Sequence, residues 1–168
     1  VRVLGFGSRT FGRATDPATG RLTDAALADR DMLVSALQGI YDVHTLGFLT
    51  LYADELTVIA GEARGADELV KEWAMVPGPH PADTEPGNTD ICHVYYEGYP
   101  ADWERYGGRA GPLRNSKMLS VLLAGDPHER RLGIGFVDKP IVESHGSYNM
   151  MRQLQRAQVP TYIVESRK

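Results

Sequence analysis

The chain is expected to fold as an α/β three-layer sandwich: a mainly parallel sheet of about five strands with helices on both faces. Three observations predict this. Short apolar runs alternate with longer stretches of helical periodicity from one end of the chain to the other, the pattern of successive βα units. Glycine-centred turns punctuate the alternation: Gly5-Phe6-Gly7-Ser8-Arg9-Thr10, Gly61-Glu62-Ala63-Arg64-Gly65-Ala66-Asp67 and Gly107-Gly108-Arg109-Ala110-Gly111-Pro112-Leu113-Arg114-Asn115. The 168 residues are 42% hydrophobic and 24% charged, which suits a single domain with a real core, and they hold no internal repeat.

Taken in order, residues 1–6 read as a buried strand, and residues 11–23, rich in Gly, Thr, Asp and Pro, as a loop. Residues 24–41 carry Leu27, Leu33, Val34, Leu37, Ile40 and Tyr41 at helical spacing, with Thr23 or Asp24 as the cap. Residues 56–60, around Val58 and Ile59, form a second strand, and residues 66–76 put Ala66, Leu69, Val70, Trp73 and Ala74 on one helical face. Residues 77–90 hold four prolines and two glycines and read as an irregular excursion. Residues 91–96 suit a third strand. Residues 112–124 suit a helix with Pro112 in its first turn, and residues 126–131 a polar loop. Residues 132–137 are a fourth strand, although Gly133 and Gly135 weaken it. Residues 146–158 form a helix with Met150, Met151, Leu154 and Ala157 inward, and residues 160–164 close the sheet. Ligands of such sheets sit at the C-terminal ends of the strands, where the glycine turns fall or can reach.

Composition narrows the function. The net charge is −4 with no basic block, so duplex DNA is not an expected partner. Cys92 is the single cysteine, which precludes an intramolecular disulfide and fits a cytoplasmic protein. No apolar run nears the ~18–20 residues of a membrane span. The start, Val1-Arg2-Val3-Leu4, does not read as a signal peptide, and the missing initiator methionine points to processing or to numbering that begins within a longer chain. No metal site is expected: Cys92 and His93 are adjacent, and adjacent strand positions face opposite ways. No P-loop lysine or nucleophile elbow occurs.

Each glycine turn carries arginine where a helix is expected to begin. Glycine lets backbone N–H groups approach an anion, a helix start offers unpaired donors and partial positive charge, and the guanidinium fork suits phosphate. The combination reads as a site for a phosphorylated, nucleotide-like small molecule.

Five blocks occur in order: Gly7-Ser8-Arg9, residues 61–67, Pro100-Ala101-Asp102-Trp103, residues 108–115, and Ser144-His145-Gly146-Ser147. Together they resemble the YspA-like (DUF2493) branch of the SLOG superfamily, which also holds the Lonely Guy phosphoribohydrolases and the Smf/DprA DNA-processing proteins. The resemblance covers most of the chain outside residues 13–23 and 77–90. It implies a Rossmann-like fold and a nucleotide-derived ligand, in roles that range from enzyme to sensor and include phage or defence settings. One departure stands out. The hydrolytic branch resembles Pro-Gly-Gly-x-Gly-Thr-x-x-Glu at its last turn, where this chain has Ser147 for the threonine and Met150 for the glutamate. A thioether can neither donate nor accept a catalytic proton.

Each candidate has a plainer alternative. Gly7, Ser8 and Arg9 could hold a phosphate or ribose, or form a tight turn with an exposed arginine. Gly61, Arg64, Gly65 and Asp67 could line the ligand, Asp67 taking a ribose hydroxyl or base edge, or Asp67 could complement the helix dipole. Trp103 could stack on a base or plug a loop. Asp102 could be a general base or a turn residue. Gly111, Arg114 and Asn115 precede or open a helix, where a positive side chain opposes the dipole unless an anion or a buried carboxylate answers it. Gly146 and Ser147, with Ser144, could cradle phosphate or cap the last helix, and His145 could be an acid/base or a solvated loop residue.

Three functions follow. The first is a binder or sensor that needs no cofactor and holds a nucleotide-derived ligand, with or without sequestration. The second is a nucleoside 5′-monophosphate phosphoribohydrolase using Asp102 or Glu143 as the carboxylate. The third is single-stranded nucleic-acid binding. Homo-oligomerisation through the Met150/Met151 and Met118/Leu119 faces stands against ordinary core packing of the same residues.

Overall fold

The computed structural model describes residues 1–45, 55–75 and 93–166; the excursion at 77–90, together with Ile91 and Cys92, lies outside the described residues. Five strands, β1 (Arg2–Gly7), β2 (Glu55–Ala60), β3 (His93–Gly98), β4 (Arg131–Val137) and β5 (Thr161–Glu165), form one sheet in the order β3-β2-β1-β4-β5. Every pairing is parallel. The helices are α1 (Asp24–Thr45), α2 (Ala66–Ala74), α3 (Trp103–Tyr106), α4 (Ala110–Leu123) and α5 (His145–Arg156), with 3-10 turns at Gly107–Arg109 and Ile141–Glu143. This is a Rossmann-like three-layer α/β sandwich. Its strand order reverses between β1 and β4, and a crevice opens at such a switch point.

Two cores flank the sheet because side chains alternate along a strand. On one face Val3 of β1 joins Leu33, Leu37 and Tyr41 of α1 and Leu69, Val70 and Trp73 of α2. On the other, Leu4 and Phe6 join Met118 and Leu122 of α4 and Met150 and Leu154 of α5. The strand at the centre is therefore apolar on both sides, as parallel sheets demand. Met118 and Met150 belong to the second core, with Leu119 and Met151 packed partly buried against it.

Several local expectations meet tertiary reasons to differ. Leu27 and Val34 share the helical spacing of α1 yet stand exposed, and Ala26 with Leu33 and Leu37 makes the buried stripe. Thr23 supplies the cap, accepting the Ala26 N–H at 3.2 Å. The glycines that count against β4 are the space its neighbours fill: a Cβ on Gly133 would meet Leu154 at 2.6 Å, and one on Gly135 would meet the Phe6 ring at 2.7 Å. Helix α4 starts at Ala110, ahead of Pro112, and α3 with both 3-10 turns carries no periodicity long enough to announce it.

Adding side-chain volume at β4 forces Phe6 and Ile163 apart, so Gly135→Val is expected to destabilise the fold by about 1–3 kcal/mol. Gly39→Ala, inside α1 with nothing within 4 Å of the new Cβ, is expected to stabilise it by about 0.5–1 kcal/mol. Urea midpoints at unchanged m-value check both.

Candidate functional site

The crevice forms where β1 and β4 end side by side, Gly7 opposite Phe136. A Cβ on Gly7 would lie 2.2 Å from the Phe136 carbonyl oxygen and 2.4 Å from Ala66 Cβ, so only glycine lets β1, β4 and the start of α2 meet there. Gly65 adopts φ +78, and a Cβ there would lie 2.5 Å from the Ser8 carbonyl oxygen and 2.6 Å from that of Arg9. Consequently the Ala66 N–H donates to the Ser8 carbonyl at 3.1 Å. The first turn of the chain thus plugs the N-terminus of α2.

That first turn is organised from below. Ser8 is buried, and its hydroxyl donates to Asp138, just past β4, while sharing a 2.9 Å hydrogen bond with Thr10. Burial pushes the Asp138 carboxyl up, but the Ser8 and Thr10 hydroxyls, a backbone N–H and the neighbouring Lys139 hold it below its ordinary value. Asp138 is a negative charge that takes the Ser8 proton, which leaves Thr10 as the donor in the Ser8–Thr10 bond.

Helix α5 begins differently. Ser144 occupies its N-cap position without a side-chain capping bond, and its hydroxyl pairs with that of buried Ser147 at 2.9 Å. The first amide of α5 bonded backwards is that of Tyr148, to the Ser144 carbonyl at 2.8 Å. Among the described residues the N–H groups of His145, Gly146 and Ser147 have no partner. A twelve-residue helix therefore presents unpaired donors and its positive dipole end to the crevice.

Arg114 answers the dipole conflict with a carboxylate. Its Nη1 donates to the Gly61 carbonyl at 3.0 Å and lies 3.4 Å from Asp67 Oδ2, and its Nη2 donates to Asn115 Oδ1 at 3.1 Å. Buried Asn115 donates in turn to the Gly146 carbonyl and to Asn149 Oδ1, each at 3.1 Å, and Gln153 donates to the same Asn149 oxygen at 2.8 Å. A polar chain so runs from α2 through α4 to α5. Asp67 is 3% exposed. Burial lifts its pKa to about 6, against the opposing pull of Arg114, the Ala63 N–H, Arg9 and the Gly7 N–H.

A cavity of about 480 Å³ fills the crevice, within the range of small-molecule sites. Of the sequence candidates it is lined by Gly7, Ser8, Arg9, Trp103, Gly111, Arg114, Asn115, Glu143, Gly146 and Ser147. Arg9 lies over the half-exposed Trp103 ring, 5.2 Å from its centroid, and Trp103 in turn lies against Gly111. Gly61, Arg64, Gly65, Asp67 and Asp102 do not line it. Gly61 and Asp67 sit behind Arg114, Gly65 packs on the first turn, and Arg64 is exposed elsewhere. Asp102 caps α3, accepting the Arg105 N–H at 3.0 Å. The expected trio of arginines is thus reduced to Arg9 and the paired Arg114.

Sequence reasoning passed over Thr10, Asp138, Lys139 and Asn149. Lys139, exposed and lining the cavity, adds a cation the turns did not predict. Its signal was positional: Asp138-Lys139 follows β4 directly, at the strand end where ligands sit. Met150 closes the floor as part of the apolar core. Among the described residues no group of three or more His, Cys, Asp or Glu could hold a metal ion, and no helix is long and apolar enough to cross a membrane.

Comparison with known proteins finds a relative in a bacteriophage. The chain is 32% identical over 105 residues to the Gene 61 protein of Mycobacterium phage D29, covering 62% of this chain and 68% of that protein. No family model and no solved structure matches.

The Asp67 carboxyl has a definite pH signature. Its folded pKa, about 6, exceeds its ordinary value of 3.8, so its contribution to stability is complete below the unfolded pKa and is lost as pH rises through about 6. The span corresponds to about 3 kcal/mol. Urea unfolding between pH 4 and 7 is expected to show this component in the wild type and to lack it in Asp67→Asn; equal slopes in the two proteins would contradict the assignment.

Proposed function

The chain belongs to the family of the Gene 61 protein of Mycobacterium phage D29, and on the geometry of its crevice we propose that it binds a phosphorylated, nucleotide-derived small molecule in the cytoplasm, as a sensor or sequestering protein. The observation that carries this is the open N-terminus of α5 on a cavity at the β1/β4 switch point. The plugged start of α2 leaves α5 as the anion seat. The phosphate lies on the amides of His145, Gly146 and Ser147, with Arg9 and Lys139 as charge partners. Ser8 commits its proton to Asp138 and accepts from Thr10, so it is the exposed Thr10 oxygen that remains an acceptor toward the cavity, suited to a ribose hydroxyl. The exposed Trp103 ring is a surface for a base, exchanging its contact with Arg9 for stacking. The resemblance to the YspA-like SLOG branch points to the same ligand class.

Calorimetry with a panel of nucleoside phosphates and ADP-ribose is expected to find a ligand that quenches Trp103 fluorescence and whose affinity falls about tenfold in Arg9→Ala and in Lys139→Ala. Silence across the panel would refute the proposal.

One observation favours a second reading. Glu143 is a carboxylate on the cavity wall, and a carboxylate there could activate water against the anomeric carbon of a 5′-monophosphate, a role Met150 cannot take. In that case free base is released from a nucleoside monophosphate and Glu143→Gln abolishes the release while keeping the binding; no release from any common monophosphate would leave binding alone.

A further inference from the structure

The outer face of α5 continues the crevice. A second, shallower hollow of about 480 Å³ is lined by His145, Tyr148, Asn149, Arg152, Gln153 and Arg156. His145 and Asn149 line both hollows, so the two are contiguous. The spacing of these six residues places them along one side of the helix, opposite the buried Met150 and Leu154.

The face is charged in one sense. Helix α5 has no acidic residue in a chain of net charge −4. Arg152 and Arg156 stand one turn apart, an arrangement that repels, and among the described residues neither forms an ion pair. The helix dipole accounts for Arg156, which lies in the last turn. It does not account for Arg152, a full turn earlier. Beside Arg152 the Asn149 and Gln153 side chains are already held by the chain of hydrogen bonds from Asn115, so the floor of this hollow is ordered in advance. Tyr148, 36% exposed, offers an aromatic ring between the helix start and Arg152.

Helix geometry sets the scale. Seven residues separate His145 from Arg152 and eleven separate it from Arg156, rises of about 10 Å and 16 Å. A nucleoside monophosphate seated by its one phosphate at the helix start has no second phosphate to set against these arginines. Resting on the ligand class proposed above, we infer that the site takes a molecule of dinucleotide size: one phosphate sits at the α5 N-terminus, and a second phosphate-bearing unit runs along α5, its charge on Arg152 and its base or sugar against Tyr148. Two arginines on a chain of negative net charge match a small ligand, not a polymer, which requires a long cationic track.

The test titrates the full chain calorimetrically with the four common 5′-mononucleotides, the matching 5′-phosphorylated homodinucleotides, and a 5′-phosphorylated single strand of about twenty nucleotides. The readout is the ratio of dinucleotide to mononucleotide affinity. The expected ratio is about tenfold or more in the wild type, falling toward one in Arg152→Gln, whose urea midpoint checks that the exposed substitution leaves the fold intact. A ratio near one in the wild type, with mononucleotides still bound, overturns this inference and leaves the ligand class standing. Absence of binding by either probe overturns both. A long strand that binds more than tenfold tighter than the dinucleotide, with steep salt dependence, overturns the inference in favour of a polymer.

Discussion

The seam where β1, β4 and α2 meet without side chains is the constraint on which the rest of this molecule depends. Gly7 brings the β1 backbone within contact of both the Phe136 carbonyl and Ala66, and Gly65 turns the α2 start onto the Ser8 carbonyl. With that helix start occupied by the protein's own backbone, the positive end of α5 is the one left open on the crevice. Which of the two helix starts faces the crevice, and hence the polarity of the site, follows from this packing: the α5 start lines the cavity and the α2 start does not.

The second organising element is the polar chain from Asp67 through Arg114, Asn115 and Asn149 to Gln153. A buried ion pair of this kind adds little net stability, because desolvation offsets attraction. Its effect is positional. It ties α2, on one face of the sheet, to α4 and α5 on the other, at the height where the crevice opens. Arg114 is thereby neutralised and fixed, a wall of the cavity with little free charge to offer, while Arg9 and Lys139 remain the exposed cations that line it.

Much of the fold was legible in the sequence, since burial imposes period on strands and helices alike. Ala66, Leu69, Val70, Trp73 and Ala74 share one helical face in the sequence and one core in the structure. Elements too short for a period, such as α3, were invisible. The site was legible only in part. Glycine beside arginine marks a turn that could receive an anion, but three such turns look equivalent until tertiary contacts separate them. Arg64 and Arg9 carry the same motif signal, yet only Arg9 reaches the cavity. The pairing of Arg114 with a carboxylate was foreseen as an alternative; that Asp67 is the partner required two helices to be placed. Lys139 and Asp138 had no motif and became visible once β4 was known to end beside β1.

Gly61 carries a consequence for how this protein can change. A Cβ there would meet the Arg114 guanidinium at 2.5 Å and the Asp67 carboxylate at 2.6 Å, so no larger residue fits while that pair stands. Nor can either partner be lost alone without stranding the other's charge in the interior. Asn115 and Asn149 inherit the same bond through their shared hydrogen bonds. These positions, scattered from residue 61 to residue 149, form one unit of variation: their substitutions will not be additive, and a working alternative must replace several of them in a single step.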